Sequence, residues 1–209
     1  MTDKYAHLSE EERTERHNQK MAKKKNARDK MLSRKTKEKG LIMVHTGKGK
    51  GKTTAAMGLA VRAIGNDMKI GIIQFVKGAW STGETKIFEK FPELCTIKAM
   101  GEGFTWETQN RERDIELANI AWNEAKELIN DPEIKMVILD EINIVLAYEY
   151  VDLEDVKNTL KNKRDDLHII LTGRKAHDDI IELSDLTTEM EMIKHHFQND
   201  IKAQLGIEF

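Results

Sequence analysis

Residues 46 to 54 read Thr-Gly-Lys-Gly-Lys-Gly-Lys-Thr-Thr, between an apolar run, Leu41 to Val44, and a stretch of helical character, Thr53 to Ile64. A strand, a glycine-lysine turn and a helix in that order form a phosphate-binding loop, and few folds other than a parallel α/β sheet present one. Gly47, Gly49 and Gly51 are expected to let the backbone bend through conformations closed to other residues, turning successive N–H groups inward around a phosphate chain. Lys52 would neutralise that chain, Thr53 would ligate Mg²⁺, and Thr46 and Thr54, at the two ends of the loop, are expected among its nucleotide-binding residues. Lys48 and Lys50 bring the loop to three cations within five residues, enough for a polyanion such as the triphosphate of ATP. Counting back from Gly51 puts Thr46 where the usual pattern has its first glycine.

The rest of the chain fits the same fold. From Gly40 onward apolar runs of strand length alternate with helical patterns, the signature of parallel strands joined by crossover helices. Strands are expected at Leu41 to His45, Lys69 to Phe75, Leu94 to Ala99, Lys135 to Asp140 and His168 to Thr172, with a weaker one near Leu186 to Met190. The clearest helix runs from Gln109 to Ile129, where Ala118, Ala121, Trp122, Ala125, Leu128 and Ile129 recur at helical spacing before Asn130-Asp131-Pro132. The expected class is α/β, a parallel-sheet P-loop nucleotide-binding fold of RecA-like type with crossover helices. Ligands of such sheets bind at the carboxyl ends of the strands, so the loops beginning at Thr46, Val76, Gly101, Asp140 and Gly173 should converge.

Two regions differ in charge. Residues 1–39 hold 13 Lys or Arg against 7 Asp or Glu, net +6, whereas the whole chain of 209 residues carries −2, leaving −8 for residues 40–209. Residues 1–39 are thus expected to be a basic, helical or partly disordered arm, and residues 40–209 the catalytic domain. The arm opens on the capping box Ser9-x-x-Glu12 but has no core face. It reads either as a solvated arm or as one that orders over a ligand or partner. Its lack of interleaved aromatics argues against nucleic acid as the partner. One cysteine, Cys95, excludes an internal disulfide and a multi-thiolate zinc site and suits a reducing cytoplasm, where Cys95 would be a buried apolar residue. No run is long enough for a membrane span.

Three further groups carry chemistry. Met136 to Leu139 is an apolar strand ending in Asp140 and Glu141, one of which should reach the metal beside the phosphate loop. Arg174, after Thr172-Gly173 at a strand end, is positioned for ligand contact, while Arg62 on the helix after the loop reads equally as a surface residue or as a phosphate or partner contact. Phe104 and Trp106, flanked by glycines and polar residues, either fold back over the core or wall a flat ligand, and Phe75 to Trp80 is a second such loop. His195-His196 reads as a surface or helix-end pair rather than a metal site.

Taken together, the loop Thr46 to Thr54, Gln74 to Gly78, Gly103 to Arg111, Leu139 to Glu141, Thr172 to Arg174 and the ending Lys202-Ala203-Gln204-x-Gly206-Ile207-Glu208 resemble the ATP:corrinoid adenosyltransferases of the cobalamin-synthesis type. The segment Gly103 to Thr108 and the Lys-Ala-Gln-x-Gly-Ile-Glu ending are far more specific than any phosphate loop. Lys48 stands where the family often has Asn. The resemblance implies transfer of the 5′-deoxyadenosyl group of ATP to the cobalt of a reduced corrinoid with release of triphosphate, and ATP lying along the loop in the sense opposite to that of P-loop hydrolases. It also implies that Phe104 and Trp106 lie under the corrin ring, that the arm covers the corrinoid, that the chain forms a homodimer, and that a flavoprotein donates electrons. A P-loop ATPase or kinase whose basic arm binds nucleic acid, and a non-catalytic nucleotide- or corrinoid-binding regulator, are the competing expectations.

Overall fold

The strands expected from the sequence pair into one six-stranded sheet in the order β3-β2-β4-β5-β1-β6. They are β1 (Ile42–Thr46), β2 (Ile70–Gln74), β3 (Cys95–Ala99), β4 (Met136–Asp140), β5 (His168–Thr172) and β6 (Leu186–Glu189). Every pairing is parallel. The computed structural model describes residues 8–76, 83–100 and 110–208. These fall into two units divided between Glu38 and Lys39.

Burial follows strand order. β1, β2 and β4 are buried at every position, as central strands covered on both faces must be, whereas the edge strand β6 is exposed throughout. Alternate residues serve opposite faces. Met43, Ile70, Ile72, Met136, Ile138 and Ile170 pack with Ala56, Met57, Ala60 and Ala63 of helix α2 (Lys52–Ile64). Val44, Ile73, Val137, Leu139, Ile169 and Leu171 pack with Ala118, Ala121, Trp122 and Ala125 of α4 (Arg111–Asn130) on the other side.

Helix α4 begins two residues later than expected because Asn110, whose side chain accepts the Arg113 N–H, caps it. The remaining helices are short: α3 (Gly83–Phe88), α5 (Ile142–Ala147), α6 (Leu153–Lys161) and α7 (Asp178–Leu183). A 3₁₀ turn follows at His196–Asn199. Cys95 is buried as expected, and burial pushes its thiol up to about 11.

Among its described residues the first unit contains one helix, α1 (Glu10–Leu32), held at its start by the reciprocal Ser9–Glu12 capping box and burying none of its residues. Among the described residues, no helix is long and apolar enough to cross a membrane.

Candidate functional site

The carboxyl ends of β1, β2, β4 and β5 open onto a cavity of ≈ 660 Å³. The phosphate loop forms one wall. Gly51 is the N-cap of α2 at φ 104° and offers no side-chain hydrogen bond, so the first-turn N–H groups of α2 have no side-chain cap competing with an anion. Lys52 is buried, with Nζ donating to Gly49 O at 2.6 Å. Burial holds its pKa below the ordinary lysine value, Glu141 opposes that, and Arg174 and Lys50 add to it.

The loop glycines divide by cause, which corrects the expectation from sequence. Gly47 and Gly51 have positive φ, at 97° and 104°, and Gly49 does not. Gly49 is glycine because a Cβ there would stand 2.7 Å from Glu191 O. Its N–H donates to Met190 O at 2.6 Å and so points away from any phosphate. Thr46, in place of the usual first glycine, closes β1 and accepts the Ala176 N–H on Oγ1 at 3.2 Å, tying the loop after β5 to the phosphate loop.

The acid strand forms the opposite wall. Asp140 is buried, and its Oδ1 accepts from Thr53 Oγ1 at 2.9 Å and from Thr172 Oγ1 at 2.7 Å. Gln74 Nε2 reaches Oδ2 at 3.3 Å. Burial raises the Asp140 pKa and these three hydrogen bonds oppose the rise. Thr172 Oγ1 also accepts the Glu141 N–H at 2.9 Å, so one hydroxyl aligns both acids. Glu141 sits at φ 63°, a left-handed conformation rare for a side-chain-bearing residue, and its Oε2 is buried without a hydrogen-bond partner. Its pKa is pushed up to about 7, first by burial and then by Asp140, against Lys52 and Arg174.

A hydroxyl and two acids meeting beside cations, with one carboxylate oxygen unsatisfied, fit a hard divalent cation such as Mg²⁺. Thr53, Asp140 and Glu141 would hold it.

The cavity gathers most of the residues singled out from sequence: Gly49 to Thr54, Asp140, Glu141 and Arg174 all line it. Thr46, Gly47 and Lys48 lie in the loop outside the lining. Arg62 is exposed in the last turn of α2, about 15 Å along the helix from its start. Phe104, Trp106 and residues 77–80 lie outside the described residues, whereas Phe75, which opens the second aromatic loop, is buried in the core with Val76 packed against it. His195 caps the 3₁₀ turn by accepting the Phe197 N–H on Nδ1. That use of the lone pair leaves Nε2 protonated in the neutral ring, so the proximity of His195, His196 and Glu208, with ligand atoms within 4.8 Å, does not make a ready metal site.

Gln74, Thr172 and Asn143 shape the site and had no role assigned from sequence. The first two are polar residues at the carboxyl end of otherwise apolar strands, and that break in pattern was the available signal. Asn143, fully buried, donates to Gly173 O at 3.2 Å and carried no such signal.

Residues 38–209 match the family described as ATP:corrinoid adenosyltransferase BtuR/CobO/CobP. The chain belongs to that family. Residues 9–32 match a second pattern, the N-terminal segment of cob(I)alamin adenosyltransferases, so α1 is itself a family element. The chain is 54% identical over 196 residues to a corrinoid adenosyltransferase of Sinorhizobium sp, covering 93% of this chain and 92% of that one. It is 45% identical to the corrinoid adenosyltransferase of Pseudomonas aeruginosa, covering 95% and 98% of the two chains. The corrinoid adenosyltransferase of Escherichia coli K12 is 42% identical, covering 93% and 98%.

Proposed function

We propose that this chain transfers the 5′-deoxyadenosyl group of ATP to the cobalt of a reduced corrinoid, cob(I)alamin or cobyrinic acid a,c-diamide, and releases triphosphate. The observation that carries the proposal is family membership over residues 38–209, joined to a phosphate cradle of α2 N–H groups, Lys52 and Arg174 at the strand ends. The electron pair of cobalt(I) forms the bond to the ribose C5′, the C5′–O bond breaks, and its electrons leave with the triphosphate. Charge therefore builds on the phosphate chain, where a loop of donors and cations stabilises it. Mg²⁺, when bound, would neutralise part of that charge. Thr53, Asp140 and Glu141 are the groups that would hold it. Lys52, withdrawn from Gly49 O, would reach the phosphates. Phe104 and Trp106 are assigned to the corrinoid by the family resemblance alone. The same reading carries a homodimer, a flavoprotein electron donor and a cytoplasmic location.

The deciding experiment incubates the protein with Mg-ATP and chemically reduced corrinoid and follows light-sensitive adenosylcorrinoid together with triphosphate. Formation of diphosphate and phosphate without adenosylation would reject the proposal in favour of an ordinary P-loop ATPase.

A further inference from the structure

The segment after β6 lies against the phosphate loop, and Ile207 and Glu208 near its end join the lining of the cavity. Met190 N–H donates to Thr46 O at 2.9 Å and Gly49 N–H donates to Met190 O at 2.6 Å. The approach is so close that a Cβ at Gly47 would stand 2.4 Å from Met190 O. The same segment returns to the loop at its far end. Glu208 Oε2 pairs with Lys50 Nζ, residues 158 apart in the chain. The Glu208 side chain is only 14% exposed, and its other oxygen lies 3.2 Å from His196 Nε2. Lys50 thus already has a protein counter-ion, and Glu208 has been taken largely out of water to provide it.

We propose that Glu208 is a positioning residue for the phosphate loop, and that Lys50 serves as its counter-ion in a brace rather than as a ligand of the phosphates. The proposal rests on the reading of this loop as a triphosphate site. Three glycines among five residues, Gly47 to Gly51, give the loop a large conformational freedom that binding would have to remove. Contacts that fix the loop beforehand leave less to be lost on binding. The hydrogen bonds through Met190 fix its first half, and the Lys50–Glu208 pair fixes its second. The simpler electrostatic alternative makes Glu208 a competitor: its carboxylate would hold Lys50 back from the polyanion.

The two ideas differ in sign. If Glu208 braces the loop, Glu208→Gln weakens ATP binding. If it competes with phosphate for Lys50, the same change tightens binding.

The test measures ATP and inorganic triphosphate affinity of the full chain by calorimetry, for the wild type, Glu208→Gln, Lys50→Met, the two combined, and the exchanged pair Lys50→Glu with Glu208→Lys. Each single change is expected to raise Kd about fivefold, the upper range for one partly exposed ion pair. The combined variant should be no weaker than either single one, and the exchanged pair should return to within about twofold of wild type. Melting temperatures without nucleotide separate loop positioning from loss of fold, and the exchanged pair keeps the test decisive if a single variant unfolds. Tighter binding by Glu208→Gln, weaker binding confined to Lys50→Met, or unchanged affinity in all variants would each overturn the brace. A wild type that binds neither ATP nor triphosphate would instead overturn the nucleotide site itself.

Discussion

At Glu141 three unfavourable conditions coincide: a left-handed backbone, a buried oxygen without a partner, and a carboxyl beside Asp140. Strain of this kind persists where the surroundings over-determine it, and here Thr172, Gly173 and Asn143 do so. A carboxyl raised from an ordinary 4.5 to about 7 binds its proton more tightly in the folded than in the unfolded chain. The nucleotide-free protein should therefore be most stable, as far as this group decides, below about 4.5, and lose that margin as pH rises through about 7. Melting curves of wild type and Glu141→Gln across that window should diverge, the variant gaining on the wild type as pH rises. Parallel curves would mean that Glu141 titrates as an ordinary surface acid. The glycines permit a second prediction. Gly58, on α2 with open space around it, should accept Ala and gain about 0.5–1 kcal/mol from helix propensity. Gly49→Ala should cost stability and ATP affinity together, because its Cβ would collide with the Glu191 backbone. A neutral Gly49→Ala in both thermal melting and ATP binding would show that the segment at Met190–Glu191 yields.

Helix α4 is the element on which one face of the sheet depends. Trp122, 2% exposed, is the largest buried side chain on it, and Nε1 donates to Asp155 Oδ2 at 2.8 Å, joining α4 to α6. Lys126 Nζ lies 3.0 Å from the same carboxylate oxygen. Trp122→Ala should cost about 3–5 kcal/mol by cavity formation, read as a lower urea midpoint at unchanged slope. A loss below about 1 kcal/mol would mean that α4 repacks. This helix was legible because Ala118, Ala121, Trp122 and Ala125 recur at helical spacing over about two turns, and the central strands because each is a short, mostly apolar run, whereas the edge strand β6, Leu-Thr-Thr-Glu, gave a weaker signal. Helices α3, α5 and α7, at six residues each, span too little chain for periodicity to register. In the site, Lys52, Thr53 and Asp140 were legible from local motifs. The reason for Gly49 and the pairing of Lys50 with Glu208 were not, since both come from a segment brought back to the loop from more than 130 residues away.

At the scale of the whole chain, the division at Glu38 and Lys39 separates two kinds of stability. Among the described residues every buried hydrophobic side chain lies in 39–209, and α1 buries none, so α1 rests on its capping box and helix-forming composition rather than on a core of its own. A chain beginning at Lys39 should therefore keep the melting temperature of the full chain and its affinity for ATP, since the phosphate loop, the acids and Arg174 all belong to that unit. The arm carries a family match of its own over residues 9–32. We propose that the arm acts in handling of the corrinoid, the role that the family resemblance gives it. Removing residues 1–38 should leave the Kd for ATP within about twofold of the full chain while lowering adenosyl transfer at limiting corrinoid at least about tenfold, mostly through the apparent KM for corrinoid. Transfer unchanged at every corrinoid concentration would make the arm dispensable, and a large loss of ATP affinity would place part of the nucleotide site within it.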